Sequence, residues 1–296
     1  MKKIALIVVT MVLIISLSAC NNQSTGTSVE KIGEIIMTGS STLVPVVTQL
    51  ISEFTEKYST WDQVNSDCPK EPISIVINGG GSGAGIKSAI DKSANFGLAS
   101  KSVSEEEQAK FEKYQQFKLG TDALTIAVNP NNNVYNLQEG FTTEQLKKIF
   151  SGEYKFWSDV NKDLPKQEIV VITRDIGGGA HSVFQKKIMG DAEVSANVIQ
   201  SPSMGALVTK IIDNENAIGY ASFGVVNQNS GKLIAMNVDE VEPSKENIIS
   251  GDYKISRPLL VLKNGELKQQ EQAFIDFLIS ERGMQVVTEL GFVSAK

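Results

Sequence analysis

TRDIGGGAHSVF, residues 173–184, follows a run of β-branched residues and leads into a helical pattern. It places Arg174 ahead of three consecutive glycines and of His181, the only histidine of the chain. Glycines at the start of a helix leave backbone N–H groups uncovered, and the positive end of the helix dipole favours an anion there. The stretch therefore suggests either an anion-binding turn anchored by Arg174 or a catalytic site that uses His181.

Other segments of the chain share this order of strand, small residues and helix start. They are TGSST (38–42), NGGGSGAG (78–85) and, with serines in place of glycines, LASKS (98–102). A single turn of this kind is an ordinary strand-to-helix connection. Four of them in one chain without a competing catalytic set indicate a shared site for an oxyanion.

Short β-branched runs alternate with amphipathic stretches from Ile35 onward, which is typical of an α/β architecture. The pattern predicts strands at 35–37, 73–77, 96–99, 123–128, 169–173, 217–223 and 256–263. It predicts helices at 43–58 with Ser41 or Thr42 as cap, from about 84, and at 104–114, 142–151, 180–189, 201–212 and 269–292, the last interrupted near Gly283. About 275 residues is long for one core, so two lobes are expected.

The N-terminus combines a basic start, MKK, with an apolar run from Ile4 to Leu17 that ends in LSAC. This order resembles the lipobox of bacterial lipoproteins and predicts a signal peptide at 1–19, a lipidated Cys20 and a flexible tether at 20–33. A plain secretory signal with an incidental cysteine is the alternative. Only Cys68 then remains, so no internal disulfide is expected, and we interpret Cys68 as an unpaired surface thiol.

The charge balance excludes several kinds of partner. The chain has 28 basic and 34 acidic residues, a net charge of −6, and loss of Lys2 and Lys3 with the signal peptide makes it −8. Such a surface repels nucleic acid, and one histidine gives no zinc-binding cluster. The overall field also opposes an anionic ligand, so an anion must be bound by local dipoles and by Arg174. No metal or other cofactor is predicted.

Nine motifs resemble, in order and near the same spacing, the phosphate-binding lipoproteins of bacterial phosphate ABC importers. They are TGSSTLVP, NGGGSGAGIKSAI, FGLASKS, GTDALTIAVNP, IFSGEYKFW, TRDIGGGAHSVF, AIGYASF, ISRPLLVL and AFIDFLISERGMQVVTELGFV. The resemblance implies the type II periplasmic-binding-protein fold: two α/β lobes, each a mixed sheet flanked by helices, joined by two hinge crossovers. Residues 34–126 plus 250–296 would form lobe I, and 127–249 lobe II.

The resemblance also implies a set of phosphate contacts, drawn from all four turns. They are Thr42 and the Leu43 N–H, Ser82, Ser100, Arg174, and the N–H groups of Gly178, Gly179 and Ala180, with His181 as an additional candidate. The family usually has Ser-Gly-Thr where this chain has Gly178 to Ala180, so two hydroxyl donors are missing. Asp122 is expected either to hydrogen-bond the hinge or to orient Arg174.

By this resemblance the protein is a monomeric receptor, lipid-anchored outside the cell membrane. It would bind inorganic phosphate between its lobes and deliver it to the permease and ATPase subunits of an ABC importer. Three alternatives stay open: a receptor for sulfate, molybdate or tungstate, a sensing or adhesion protein that has lost tight binding, and a secreted hydrolase using Ser182 and His181. No catalytic residue is predicted, since the chain has no G-x-S-x-G nucleophile elbow.

Overall fold

A computed structural model describes residues 33–295. The strands are β1 (Glu34–Gly39), β2 (Ser74–Asn78), β3 (Phe96–Ala99), β4 (Tyr114–Val128), β5 (Gly140–Phe141), β6 (Val170–Arg174), β7 (Ile199–Ser201), β8 (Ala217–Ser222), β9 (Ile234–Val238), β10 (Ser256–Asn264) and β11 (Val293–Ser294). The predicted α/β alternation is confirmed. The predicted signal peptide, lipidated Cys20 and nearly all of the tether lie outside the described residues.

Helices follow most of the strands. They are α1 (Val44–Lys57), α2 (Trp61–Val64), α3 (Gly81–Ile90), α4 (Glu105–Gln108), α5 (Val134–Leu137), α6 (Thr143–Phe150), α7 (Trp157–Val160), α8 (Gly179–Phe184), α9 (Met204–Ile212), α10 (Phe223–Gln228), α11 (Lys245–Ser250), α12 (Gln269–Leu278) and α13 (Glu281–Glu289). A π-helical turn, Gln185–Met189, continues α8 without a break.

The long strand β4 connects two groups of strands. Its first part pairs antiparallel with β10, which extends the order β2-β1-β3-β10, and its second part pairs antiparallel with β8, which extends the order β8-β6-β7. Strands β1, β2 and β3 are parallel to one another, and so are β6, β7 and β8. Each group is therefore a mixed sheet. The division of the chain between lobes at 126/127 and 249/250 stays a prediction.

Parallel pairing brings the carboxyl ends of strands to one edge, where the turns of interest follow them. Three of the four turns leave β1, β2 and β3, and the fourth leaves β6. Helix α3 packs very closely on this edge, because a Cβ atom on Gly85 would lie 2.3 Å from the Leu98 carbonyl oxygen. Only glycine permits that approach at this position.

Some local predictions were wrong or displaced by a few residues. The helix expected over 104–114 ends at Gln108, because residues from Tyr114 onward pair with β10. The break in the C-terminal helix falls before Ser280, which caps α13 through the Gly283 N–H; Gly283 serves close packing, since its Cβ would lie 2.0 Å from the Leu278 carbonyl oxygen. Cys68 is 6% exposed and belongs to the core, so it is not a surface thiol.

Candidate functional site

Arg174 stands at the end of β6 and is 2% exposed. Its Nη1 donates to the Ser41 hydroxyl at 3.1 Å, which joins the β6–α8 turn to the β1–α1 turn. Its Nε and Nη2 donate to the Ser201 and Pro202 carbonyl oxygens, both at 3.0 Å, and Nη2 lies 2.7 Å from the Asp175 carboxylate. The guanidinium is therefore held rigidly, with Nη1 directed toward the β1–α1 turn.

The N-termini of α3 and α8 meet face to face. The Gly83 N–H donates to the Gly177 carbonyl oxygen at 3.2 Å. A Cβ atom on Gly179 would lie 2.2 Å from the Ser82 hydroxyl oxygen and 3.2 Å from the Ser100 carbonyl oxygen. A Cβ on Gly178 would lie 3.0 Å from the Arg174 Cζ. Bare glycine backbone is thus what allows these two turns to come into contact.

Three serine hydroxyls connect the turns of the first sheet. The Ser100 N–H donates to the Ser82 hydroxyl at 3.0 Å, and the Ser40 hydroxyl donates to the Ser100 hydroxyl at 2.9 Å. Ser82 is fully buried and Ser100 is 2% exposed. The β1–α1, β2–α3 and β3–α4 turns therefore share one hydrogen-bonded cluster.

A second buried arginine, Arg257, lies under this cluster. It is 2% exposed, and it donates from Nη2 to the Thr42 hydroxyl and from Nη1 to the Ser100 hydroxyl, both at 3.1 Å. Sequence reasoning missed it, because ISRPLLVL was interpreted only as a strand. The available signal was a charged residue next to the apolar run PLLVL of β10, matched by Asp122 next to the apolar end of β4.

Asp122 is the partner of Arg257. The two residues lie opposite each other in the β4–β10 register, with carboxylate–guanidinium distances of 2.8 and 3.0 Å. The other carboxylate oxygen accepts from the Ser222 hydroxyl of β8 at 3.0 Å. The hydrogen bond to the second sheet agrees with one of the two predicted roles of Asp122. The other role was wrong, since Asp175, and not Asp122, orients Arg174.

In the β1–α1 turn, the Ser41 hydroxyl accepts a hydrogen bond from Arg174 and the Thr42 hydroxyl accepts one from Arg257. Ser41 and Thr42 were predicted as helix caps, yet the N-cap of α1 is Leu43 and has no side-chain cap. Ser41 instead accepts from Arg174 and from the Met204 N–H, at 3.1 and 3.2 Å. The Leu43 N–H donates to the Ser40 carbonyl oxygen at 3.0 Å, so this predicted phosphate donor already has a partner.

The electrostatics of the cluster favour an anion. Burial lowers the pKa of the Arg257 guanidinium, the Asp122 carboxylate opposes that shift, and the positive charge of Arg174 adds to it. The two guanidiniums reach neighbouring hydroxyls, those of Ser41 and Thr42, and both stay charged because arginine does not deprotonate in proteins. The positive charges of Arg174 and Arg257 repel each other, and a negative group between the two guanidiniums would relieve that repulsion.

Several backbone donors at the same place are open. Among residues 33–295, no hydrogen-bond partner exists for the N–H groups of Thr42, Ser82, Gly179 and Ala180, all of which are buried residues. Buried N–H groups are nearly always paired with protein, water or ligand. These donors belong to the first residues of helices or to the turns before them, where an anion is the natural partner.

The geometry gives no nucleophile–base pair at His181 and Ser182. His181 is half-buried, its Nδ1 lies 3.5 Å from the Tyr220 hydroxyl, and Ser182 is exposed. Burial lowers the pKa of His181, against the charges of Asp175 and Glu193. In the described part of the chain, no hydrogen bond joins these two side chains, and no group of His, Cys, Asp or Glu is arranged to hold a metal ion.

The family model described as "PBP superfamily domain" matches residues 22–282. The phosphate-binding protein PstS of Staphylococcus saprophyticus is 30% identical over 290 residues, covering 94% of this chain and 85% of the relative. The protein of the same name from Staphylococcus aureus is also 30% identical, over 293 residues. The chain belongs to the PstS family. The PstS relatives extend over nearly all of it, so the resemblance drawn from the nine motifs is confirmed.

Solved structures agree with the PstS assignment. A protein described as a phosphate ABC transporter substrate-binding protein from Clostridium perfringens, with bound phosphate, has a TM-score of 0.77 and 30% identity, covering 89% of this chain and all of that one. An ABC-type phosphate transport receptor from Vibrio cholerae has a TM-score of 0.67 and 26% identity over 88% of this chain and 99% of its own. The type II periplasmic-binding-protein fold is confirmed.

Over residues 33–295, no helix is both long and apolar enough to cross a membrane.

Proposed function

We propose that the chain is an extracytoplasmic receptor that binds inorganic phosphate between its two lobes and delivers it to an ABC importer. The PstS relatives and the phosphate-bound structure from Clostridium perfringens support this ligand. In this role the ligand is released unchanged. A receptor for sulfate, molybdate or tungstate and a secreted hydrolase are not favoured.

One observation carries the proposal: buried residues of three turns have N–H groups without a partner, and hydroxyls of the first and third turns are held by two buried arginines. Arg174 reaches these hydroxyls from β6 and Arg257 from β10. Phosphate dianion would accept hydrogen bonds from the hydroxyls of Thr42, Ser82 and Ser100, from the amides of Ser82, Gly179 and Ala180, and from Arg174. Hydrogen bonds to a charged ligand contribute about 1.5–3 kcal/mol each, so a few are enough for tight binding.

Arg257 and Ser41 supply part of what the Gly178–Ala180 segment lacks. That segment offers only the backbone N–H groups of Gly179 and Ala180, because neither glycine nor alanine has a hydroxyl and the Gly178 N–H, a predicted phosphate donor, already donates to the Asp175 carbonyl oxygen at 2.9 Å. Arg257 holds the Thr42 and Ser100 hydroxyls as acceptors, which leaves the hydrogen of each hydroxyl free to turn toward the anion. Ser41 is held in the same way by Arg174 and the Met204 N–H.

Closure of the lobes would make the captured state recognisable. The contacts of Arg174 with Ser41 and of Gly177 with Gly83 join segments of the two predicted lobes. An anion placed between these segments stabilises the closed arrangement by its differential contacts, and a permease senses that arrangement. We further propose that the protein acts as a monomer and is held to the membrane by a lipid on Cys20. Loss of palmitate labelling in Cys20→Ser tests the anchor.

Calorimetric titration of the full chain with phosphate tests the function. We expect a one-to-one isotherm and a thermal upshift that grows with phosphate concentration by mass action. Saturating sulfate or molybdate should give much smaller shifts. An upshift with sulfate or molybdate and none with phosphate overturns the assignment. Turnover of a phosphate ester that vanishes in His181→Ala would instead establish a hydrolase.

A further inference from the structure

A cavity of about 650 Å³ opens beside the candidate phosphate site. One wall is the segment from Lys101 to Lys110, after β3 and through α4, and the other is the segment from Ser182 to Lys187 on α8 and the π-helical turn. Its floor is Ser256, Arg257 and Pro258. We call this cavity the lysine cleft, after its four lysines at 101, 110, 186 and 187.

The lysine cleft carries a surplus of positive charge on an acidic protein. Lys101 and Lys110 are paired with Glu107 and Glu106, each at 2.8 Å. Lys186 and Lys187 are exposed and have no ion-pair partner within residues 33–295. The two carboxylates of the lining are thus already neutralised, whereas the charges of Lys186 and Lys187 stay uncompensated. The chain as a whole has a net charge of −6.

The inner end of the lysine cleft reaches the phosphate site. Arg257, on its floor, donates to the Ser100 and Thr42 hydroxyls, which are candidate phosphate donors. Lys101 follows Ser100 directly in the chain, and Ser182 lies three residues after Gly179 on the same helix. An anion held in the cleft would therefore be next to the donors that bind it after closure.

We propose that the lysine cleft is the access route for phosphate and that Lys186 and Lys187 collect the dianion from solution. The proposal rests on the proposed function and adds to it the path and the residues of capture. Long-range repulsion by the acidic surface is screened within about 8–10 Å at physiological salt, whereas a concave, cation-lined cleft concentrates its own field. Local lysines can thus dominate the approach of the anion despite the net negative charge.

Rate constants for inorganic phosphate, measured by stopped flow at low and high ionic strength, test this role. In Lys186→Gln/Lys187→Gln we expect the association rate constant to fall about 3–10-fold at about 10 mM salt and by less than about twofold at about 1 M salt. The dissociation rate constant should change little. Glu106→Gln should raise the association rate constant, because it releases Lys110 from its partner.

Lys232→Gln/Lys245→Gln is the matched control, since both lysines are exposed and neither lines the cleft. It changes the net charge equally and should leave association nearly unaltered. The proposal is overturned if the cleft and control pairs behave alike, or if the cleft pair changes dissociation instead of association. Failure of the unmodified chain to bind phosphate would instead refute the proposed function, so the two failures are distinguishable.

Discussion

The substitution Gly179→Ala tests whether the contact between the N-termini of α3 and α8 matters for phosphate binding but not for the stability of the fold. The added Cβ would lie 2.2 Å from the Ser82 hydroxyl oxygen, 2.8 Å from the Ser82 Cβ and 3.2 Å from the Ser100 carbonyl oxygen. Rotating the serine hydroxyl relieves the first contact but not the second, which involves a carbon fixed to the backbone of α3. Carbon atoms pack best at about 3.5–4.0 Å, so the N-termini of α3 and α8 would have to separate by about 1 Å.

Separating the two helix N-termini should weaken phosphate binding, because it disfavours the closed arrangement that binds the anion. Overpacking of a tight contact costs about 1–3 kcal/mol, which corresponds to a roughly 5–150-fold increase in the dissociation constant for phosphate. An open arrangement of the lobes avoids the clash, and alanine is favoured over glycine in a helix by about 0.5–1 kcal/mol. The free energy of unfolding without phosphate should therefore be unchanged or slightly higher.

Calorimetry with phosphate and denaturant unfolding without it measure the two effects. Gly205→Ala in α9 is the matched control, because its added Cβ would have no atom within 4 Å apart from its chain neighbours and its own helix backbone. It should raise stability in the same way and leave phosphate affinity alone. Wild-type affinity in Gly179→Ala would refute the reasoning that this glycine permits closure on the anion.

Arg174→Gln should weaken phosphate binding by about 2–5 kcal/mol, roughly 30-fold or more in calorimetric titration, and leave thermal stability nearly intact; unchanged affinity would remove Arg174 from the site. Asp122→Asn should lower the free energy of unfolding by about 3–5 kcal/mol, because it leaves the buried Arg257 charge without its carboxylate partner. Asp175→Asn should lower the free energy of unfolding by at most about 1 kcal/mol, because the Asp175 carboxylate is 37% exposed. Burial lowers the pKa of His181 from its ordinary value of 6.5, so the unfolded chain takes up this proton first. Stability should therefore fall as the pH drops below 6.5 toward the lower folded-state pKa. In His181→Gln, the contribution of His181 to this fall in stability should be missing, which denaturant unfolding at several pH values measures. An identical dependence of stability on pH in the two proteins would contradict the prediction.

The sequence predicted the turns well because their signals are local. A β-branched run, small residues and a helical period are read within about a dozen positions, and the four turns do lie together. Arg174 was also found locally, from its place before the glycines. The extent of these elements was predicted less well: α3 begins at Gly81, earlier than the expected start near Ala84, since glycine propensity disfavours a helix that tertiary packing stabilises.

Arg257 was missed because its role depends on contacts between distant parts of the chain. Its partner Asp122 is 135 positions away, and Thr42 is 215 positions away. The register of β10 against β4 decides that these groups meet, and no periodicity within either strand encodes it. The reason for glycine at 179 is equally non-local, since the atoms that exclude a side chain there belong to Ser82 and Ser100, whereas at Gly178 they belong to the nearby Arg174 and Asp175.

A crystal structure of the full chain with phosphate tests the central claim most directly. We expect one tetrahedral anion within hydrogen-bond distance of Arg174 and of the N–H groups of Ser82, Gly179 and Ala180. Phosphate bound only elsewhere, for example among the lysines of the cleft with these amides still open, would contradict it.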